Sequence, residues 1–224
     1  MREIMISVQP QWVEKILNGE KTIEIRKTMP KCELPCKVYI YCTKNSKQIL
    51  AGTSIVKHSW VCWNRREWSS QQKKDCGYGR YNGKVVAEFT LTKIDKIEIC
   101  DPDVLVNGEM VDVMGYKADT GLTLDKFTDY IGYGDDHDGW GSKEWSKGYG
   151  WHIDDLKIYD NPKELSEFSH YIPDNQCPKK ECGIDCEDCM SYDSEHETCL
   201  ALYYLYRQIK RPPQSWFYVE KVEE

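Results

Sequence analysis

The sequence predicts an α+β fold, a mixed β-barrel with a few short helices. Three observations lead there. Many short segments alternate apolar and polar residues with the period of two that a half-buried strand requires. Few segments repeat at helical spacing, and those are short. A C-terminal strand after Pro212-Pro213 can pair back onto the early strands, and closing a sheet removes its exposed edges.

Taken in order, residues 3–8 read as the first strand. Gln9-Pro10 opens a helix, because proline in the first turn lacks only an N–H that has no partner there. Trp12, Val13, Ile16 and Leu17 fall on one face of that helix, and Asn18-Gly19 ends it in a left-handed cap. From Lys21 to Lys27 the pattern alternates strictly. Ile23 and Ile25 face one way; Thr22, Glu24 and Arg26 face the other. Residues 37–43 read as a third strand and 84–99 as a long one with Val85, Ala87, Phe89 and Leu91 on one face. Thr123 is placed to cap a helix running to Tyr130. Residues 132–150 read as a glycine-rich loop, 151–159 as a strand, and Ser215 to Glu220 as the closing strand.

The chain has 224 residues and reads as a single domain over 1–224 carrying two insertions, at about 57–83 and 176–200. Only 40% of residues are hydrophobic, but 8 Trp and 15 Tyr supply large buried surfaces. The net charge of −7 argues against strong duplex DNA binding, which draws its affinity from phosphate neutralisation. Charge is uneven along the chain: residues 57–84 carry seven Lys/Arg against two acids, and 101–138 carry ten acids against two Lys. No run approaches the ~20 apolar residues of a spanning helix, and the N-terminus does not read as a leader. The expectation is a cytoplasmic protein without membrane contact, its 11 Cys reduced or metal-bound.

The run Gly19-Glu20-Lys21-Thr22-Ile23-Glu24-Ile25-Arg26 concentrates the chemistry. A helix end delivers Lys21 to the start of a strand, and Glu24 and Arg26 project from one face about 7 Å apart. Lys21 can donate to a carbonyl or phosphate oxygen. Glu24 can accept from an amine, and Arg26 offers a planar fork to a base edge, phosphate or carboxylate. Gly19, Lys21, Thr22, Glu24 and Arg26 are therefore the expected ligand site. The plainer reading is a surface ion pair worth under ~1 kcal/mol.

This helix followed by Gly-x-Lys-x-x-Glu-x-Arg resembles the signature of the ASCH domain family at Gly19, Lys21, Glu24 and Arg26. Gly150-Trp151-His152-Ile153 through Leu165 resembles the family's late strand, and Pro212 to Glu220 its closing strand. The resemblance implies a PUA-like barrel that binds RNA or a modified nucleoside. Some small ASCH proteins remove acetate from N4-acetylcytidine with a Lys at the Gly-x-Lys position, a Thr three residues on and a more distant acid. Here Lys21 matches, Glu24 stands where the Thr would be, and Asp119 is the nearest candidate acid. A hydrolase of this kind would use Glu24 as general base on water and Lys21 to stabilise the oxyanion. A third reading is a protein-interaction module.

Two further segments carry chemistry. Cys177, Cys182, Cys186 and Cys189 place four thiols within 13 residues, a set that can close a structural zinc site, with Cys199 or His196 as a substitute ligand. In the basic insert, Arg65, Arg66, Lys73 and Lys74 are candidate RNA contacts. Trp60, Trp63 and Trp68 lie among these cations at a spacing that suits a helix; they would stack on bases or pack against the barrel. Asp135-Asp136-His137-Asp138 reads as a solvated loop, and His152 as either a pocket-lining or a barrel histidine.

Overall fold

The computed structural model describes residues 3–52, 59–64, 81–100, 103–111, 119–121, 124–131, 146–170, 192–193, 198–199 and 209–221. Thirteen strands are found among them: β1 (Glu3–Val8), β2 (Ile23–Arg26), β3 (Cys36–Cys42), β4 (Gln48–Gly52), β5 (Trp60–Asn64), β6 (Val85–Cys100), β7 (Asp103–Val106), β8 (Glu109–Met110), β9 (Ser146–Lys163), β10 (Phe168–His170), β11 (Tyr192–Asp193), β12 (Thr198–Cys199) and β13 (Trp216–Lys221). Two α-helices accompany them, α1 (Pro10–Leu17) and α2 (Leu124–Ile131). The fold is mostly β-sheet with few helices. No helix among the described residues is long and apolar enough to cross a membrane.

The main sheet runs β10-β13-β1-β3-β6, then crosses to β9 and β2, with β7 and β8 continuing from the far half of β6. As expected, the C-terminal strand pairs with the first: β13 lies antiparallel to β1, with Ile4 opposite Tyr218. β1 and β3 are parallel, Ile4 opposite Val38, and the crossover between them carries α1 and β2. The register between β6 and β9 shifts at three places along their length. Each shift adds local twist, so the long pair coils strongly.

The coil brings β2 round towards β1, but closure as a barrel is corrected. Among the described residues the hydrogen-bonded sheet ends at β10, at β8 and, on the β9 branch, at β2. The physical reason is a side chain. Arg26, at the end of β2, donates through Nη2 to the Ser7 carbonyl on β1 at 2.9 Å and through Nη1 to the Ser215 carbonyl beside β13 at 3.1 Å. A guanidinium lying between two strand ends holds their backbones farther apart than the ~4.8 Å of a sheet ladder. The opening is bridged by a fork of N–H donors instead.

Inside the coil lies the largest core: Ile4, Ile6 and Val8 of β1, Val38 and Ile40 of β3, Phe89 and Leu91 of β6, Trp151 of β9, and Val13, Ile16 and Leu17 of α1. The Trp12 side chain is partly buried and packs at its margin. On the opposite face of β2, Ile23 and Ile25 join Ile97, Ile99, Val104 and Ile131 in a second core. The alternation holds over residues 23–26, but both faces of β2 are buried.

The expected helix in the basic insert is corrected in part. Trp60 to Asn64 form β5, antiparallel to β4, with Trp63 opposite Ile49. Trp60 is buried against Tyr81, ring centroids 4.7 Å apart, and its backbone N–H and C=O both bond the Asn18 side chain at 2.9 Å. Its place in the buried core makes this ring a packing element. Trp68, Arg65, Arg66, Lys73 and Lys74 lie outside the described residues, as do Thr123, residues 132–145 and residues 171–191.

Candidate functional site

The turn after α1 sets the site. Gly19 has φ +76°, a left-handed conformation that favours glycine, and both the Glu20 and Lys21 backbone N–H groups then donate to the Lys15 carbonyl. The reversal turns the Lys21 side chain inward, where it is 2% exposed. Its ammonium donates to the Ile23 carbonyl at 2.7 Å and to the Thr120 carbonyl at 2.6 Å, and lies 3.4 Å from Glu24 Oε2. Those three contacts match the three protons an ammonium has. Burial pulls the Lys21 pKa below its ordinary value, with the Glu24 carboxylate working in the opposite direction.

Glu24 turns its other oxygen, Oε1, to Arg26 Nη2 at 2.9 Å. Lys21, Glu24 and Arg26 therefore form a buried cation–carboxylate–cation row at the end of the core. Two polar atoms at this row, one on Arg26 and one on the neighbouring Ser7, are left over. Arg26 Nε and the Ser7 hydroxyl are buried without a hydrogen-bond partner among the described residues. Orphaned buried donors are uncommon in folded proteins and mark places where water or a ligand supplies the missing partner.

A cavity of about 580 Å³ opens directly over the row. That volume lies in the range of small-molecule sites, roughly 300–1,000 Å³. Ser7, Lys21, Glu24 and Arg26 form part of its wall, with Trp12 from α1 and Lys126, Asp129 and Tyr130 from α2. Pro212, Pro213 and Gln214 complete it on the side of β13. The ammonium groups of Lys21 and Lys126 lie 5.9 and 5.7 Å from the Trp12 ring centroid. Lys27 Nζ lies 5.6 Å from the Tyr130 ring, whose phenol is held above its ordinary pKa chiefly by burial. An aromatic wall, a charged floor and unpaired donors meet in one concavity.

This strand-and-turn element lies within residues 6–98, which match the ASCH domain family. That match covers less than half of the chain. A curated relative, the ASCH domain-containing ribonuclease of Zymomonas mobilis, is 27% identical over 79 residues, 32% of this chain and 53% of that protein. The match thus spans about half of the relative's length. Among solved structures, ASCH from Zymomonas mobilis is 16% identical with a TM-score of 0.41, covering 98% of this chain and 88% of that one. A single-residue variant of the same protein gives a TM-score of 0.44 at 16% identity, covering 98% and 89%.

Within the matched region the structure brings Lys21, Glu24 and Arg26 together and leaves other expected residues apart. Thr22 is exposed and does not line the cavity; its N–H donates to the Asp119 carbonyl and its own carbonyl accepts from Ile153. Asp119 is exposed and contributes that backbone carbonyl; its carboxylate is not part of the cavity wall. Gly19 acts through the turn. Cys177, Cys182, Cys186, Cys189 and His196 lie outside the described residues, and of Cys199 only the backbone of β12 is described.

Sequence reasoning missed Trp12, Lys126 and Tyr130 as cavity residues. Trp12 shares the helical spacing of Val13 and Ile16, and period alone does not separate a core position from one at a cavity rim. Lys126 and Tyr130 stand four apart and share one face of α2, a signal visible in the sequence but lacking a known neighbour.

His152 takes the second of its expected roles, a histidine satisfied within the sheet. It lies opposite Ile23 on β9, on the face away from Glu24, and its Nε2 is 2.6 Å from Asp95 Oδ2. Asp95 also accepts from Asn107 and Lys93 at 2.8 Å. Burial pushes the Asp95 carboxyl up, but the three donors together outweigh it and hold the pKa below the usual value. Asn107 has φ +54° in the β7–β8 turn, so this cluster pins that turn to β6.

Proposed function

We propose that the cavity binds a nucleobase, presented either by single-stranded RNA or as a modified nucleoside. The observation that carries this reading is the juxtaposition of the Trp12 and Tyr130 rings with the buried Glu24 carboxylate and the unpaired Ser7 and Arg26 donors. A base has a π-face to stack and an edge of donors and acceptors to read. The ribonuclease description of the Zymomonas mobilis relative supports an RNA-related role. Around the cavity, Lys27, Lys210 and Arg211 are exposed, and the last two lead directly into Pro212. Cations so placed suit phosphates flanking a bound base.

The test compares a short fluorescent single-stranded RNA with free cytidine and N4-acetylcytidine. RNA affinity is expected to fall steeply with salt, and Lys27→Ala with Arg211→Ala to flatten that slope by about 1.4, at ~0.7 per lost phosphate contact. Nucleoside affinity alone, indifferent to salt, would favour the modified-nucleoside form of the reading. Binding of neither probe would sink both.

Hydrolysis of N4-acetylcytidine is the second reading, and Glu24 in the cavity wall favours it as a general base. Oxyanion stabilisation by Lys21 would require its ammonium to give up one of the partners it holds. Turnover abolished by Glu24→Gln would establish the enzyme.

The Cys177–Cys189 segment is proposed to hold a structural zinc, on the strength of four closely spaced thiols. Elemental analysis of gently purified protein is expected to find stoichiometric zinc, lost in Cys186→Ser; metal-free protein of normal stability would exclude the site.

A further inference from the structure

Away from the cavity, two thiols stand in contact. Cys32 and Cys36 are separated by Glu33, Leu34 and Pro35, and their Sγ atoms lie 3.3 Å apart. A disulfide brings sulfurs to about 2.05 Å, so closure needs an approach of only about 1.2 Å. The two sulfurs differ sharply in setting. Cys36 is the first residue of β3, paired with Leu91 of β6, and 2% exposed. Cys32 is half-buried in the connection that leaves Arg26, most of whose residues are exposed. That connection is tied to β13 by Lys31 N–H donating to the Tyr218 hydroxyl at 2.7 Å and by Trp216 Nε1 donating to Thr28 at 2.9 Å. Cys32 is therefore held against Cys36 from one side while open to small reagents from the other.

We propose that Cys32 and Cys36 form a reversible disulfide, a thiol modification site whose oxidant is a hydroperoxide. Accessibility assigns the order of events. The Cys32 thiolate attacks a peroxide oxygen, the O–O bond breaks, and Cys32 becomes a sulfenic acid as an alcohol or water leaves. The Cys36 sulfur then attacks the Cys32 sulfur; the S–S bond forms, the S–O bond breaks, and the departing hydroxide takes the Cys36 proton as water. Two thiols lose two electrons and one peroxide gains them. Burial, with the neighbouring Cys32, pushes the Cys36 thiol up to about 12, which suits it to the resolving role and not to first attack. The bond would fasten the strand connection that follows Arg26 onto the rigid start of β3. Its formation does not depend on what the cavity binds.

Trypsin cleavage after Lys31 and Lys37 releases both cysteines in one peptide, residues 32–37. The full chain is treated with hydrogen peroxide, its remaining thiols are alkylated, and that peptide is weighed. The expected product is the unalkylated peptide lighter by two hydrogens, restored to the doubly alkylated form by a thiol reductant. In Cys36→Ala, Cys32 is expected to stop at the sulfenic acid and be trapped by a sulfenic-selective dione. Persistence of two alkylatable thiols while other cysteines oxidise, irreversible sulfinic acids, or disulfides from either residue to other cysteines would each overturn the assignment. The native-chain measurement stands alone should the Cys36 variant fail to fold.

Discussion

Arg26→Ala is expected to destabilise the protein by about 3–5 kcal/mol, the usual cost of breaking a buried ion pair and leaving the partner charge uncompensated. The Arg26 side chain is 4% exposed and the Glu24 side chain 10%, so solvent screens the pair little. Two further losses follow. The Ser7 and Ser215 carbonyls each lose a donor, and a side chain bridging β2 to β1 disappears where the described sheet has no ladder. Arg26→Lys is expected to recover little, since an ammonium on a flexible stem cannot span three acceptors with fixed fork geometry. Urea unfolding at neutral pH measures both. The double variant Glu24→Ala with Arg26→Ala should cost less than the sum of its parts, because removing both charges leaves neither stranded. A loss under about 1 kcal/mol for Arg26→Ala would return the pair to the surface class and contradict the bridging role.

Lys21→Ala is expected to lose about 3 kcal/mol or more, and ligand binding with it. The Ile23 and Thr120 carbonyls would both be left without their buried donor, at ~1–3 kcal/mol each, and Glu24 would lose one of its two cations. Lys21→Met, which restores packing but no donor, should recover only a minor part. Chemical denaturation separates this from a direct ligand role. If Lys21→Ala unfolds at the parent's denaturant concentration yet fails to bind, Lys21 is a ligand donor and its carbonyl contacts are incidental. The distinction matters for any assay on this site, because lost turnover in an unfolded variant says nothing about chemistry.

Much of the site was legible in the residues. The proline at the start of α1 and Gly19 at its end define the helix and its left-handed cap, because each rests on local backbone sterics. The alternation of residues 23–26 assigned Glu24 and Arg26 to one face of β2, which only needs the pleat of a strand. It also placed Thr22 there, and that failed: Thr22 precedes the first residue of β2, where the backbone bonds Asp119 and Ile153 instead of continuing the pleat. Trp60 and Trp63 went astray for a related reason. Three-residue spacing fits a helix, but a strand on a small two-stranded sheet can bury one tryptophan against α1 and β4 and the next against Ile49 and Ala51.

By itself, the sequence determined the mostly-β character, the helix and its caps, the return of the C-terminal strand onto the early strands, and a resemblance to the ASCH pattern through Gly19, Lys21, Glu24 and Arg26. Those features depend on residues close in the chain or on simple periodicity. Only the tertiary structure decided that the ion row is buried, that Lys21 spends its protons on carbonyls as far away as Thr120, and that Arg26 bridges an opening where a ladder would close a barrel. It also decided that Trp12 and Tyr130 wall one cavity. Each of these depends on how strongly β6 and β9 coil, and that is set by register shifts between strands over 45 residues apart in sequence, which no local pattern encodes.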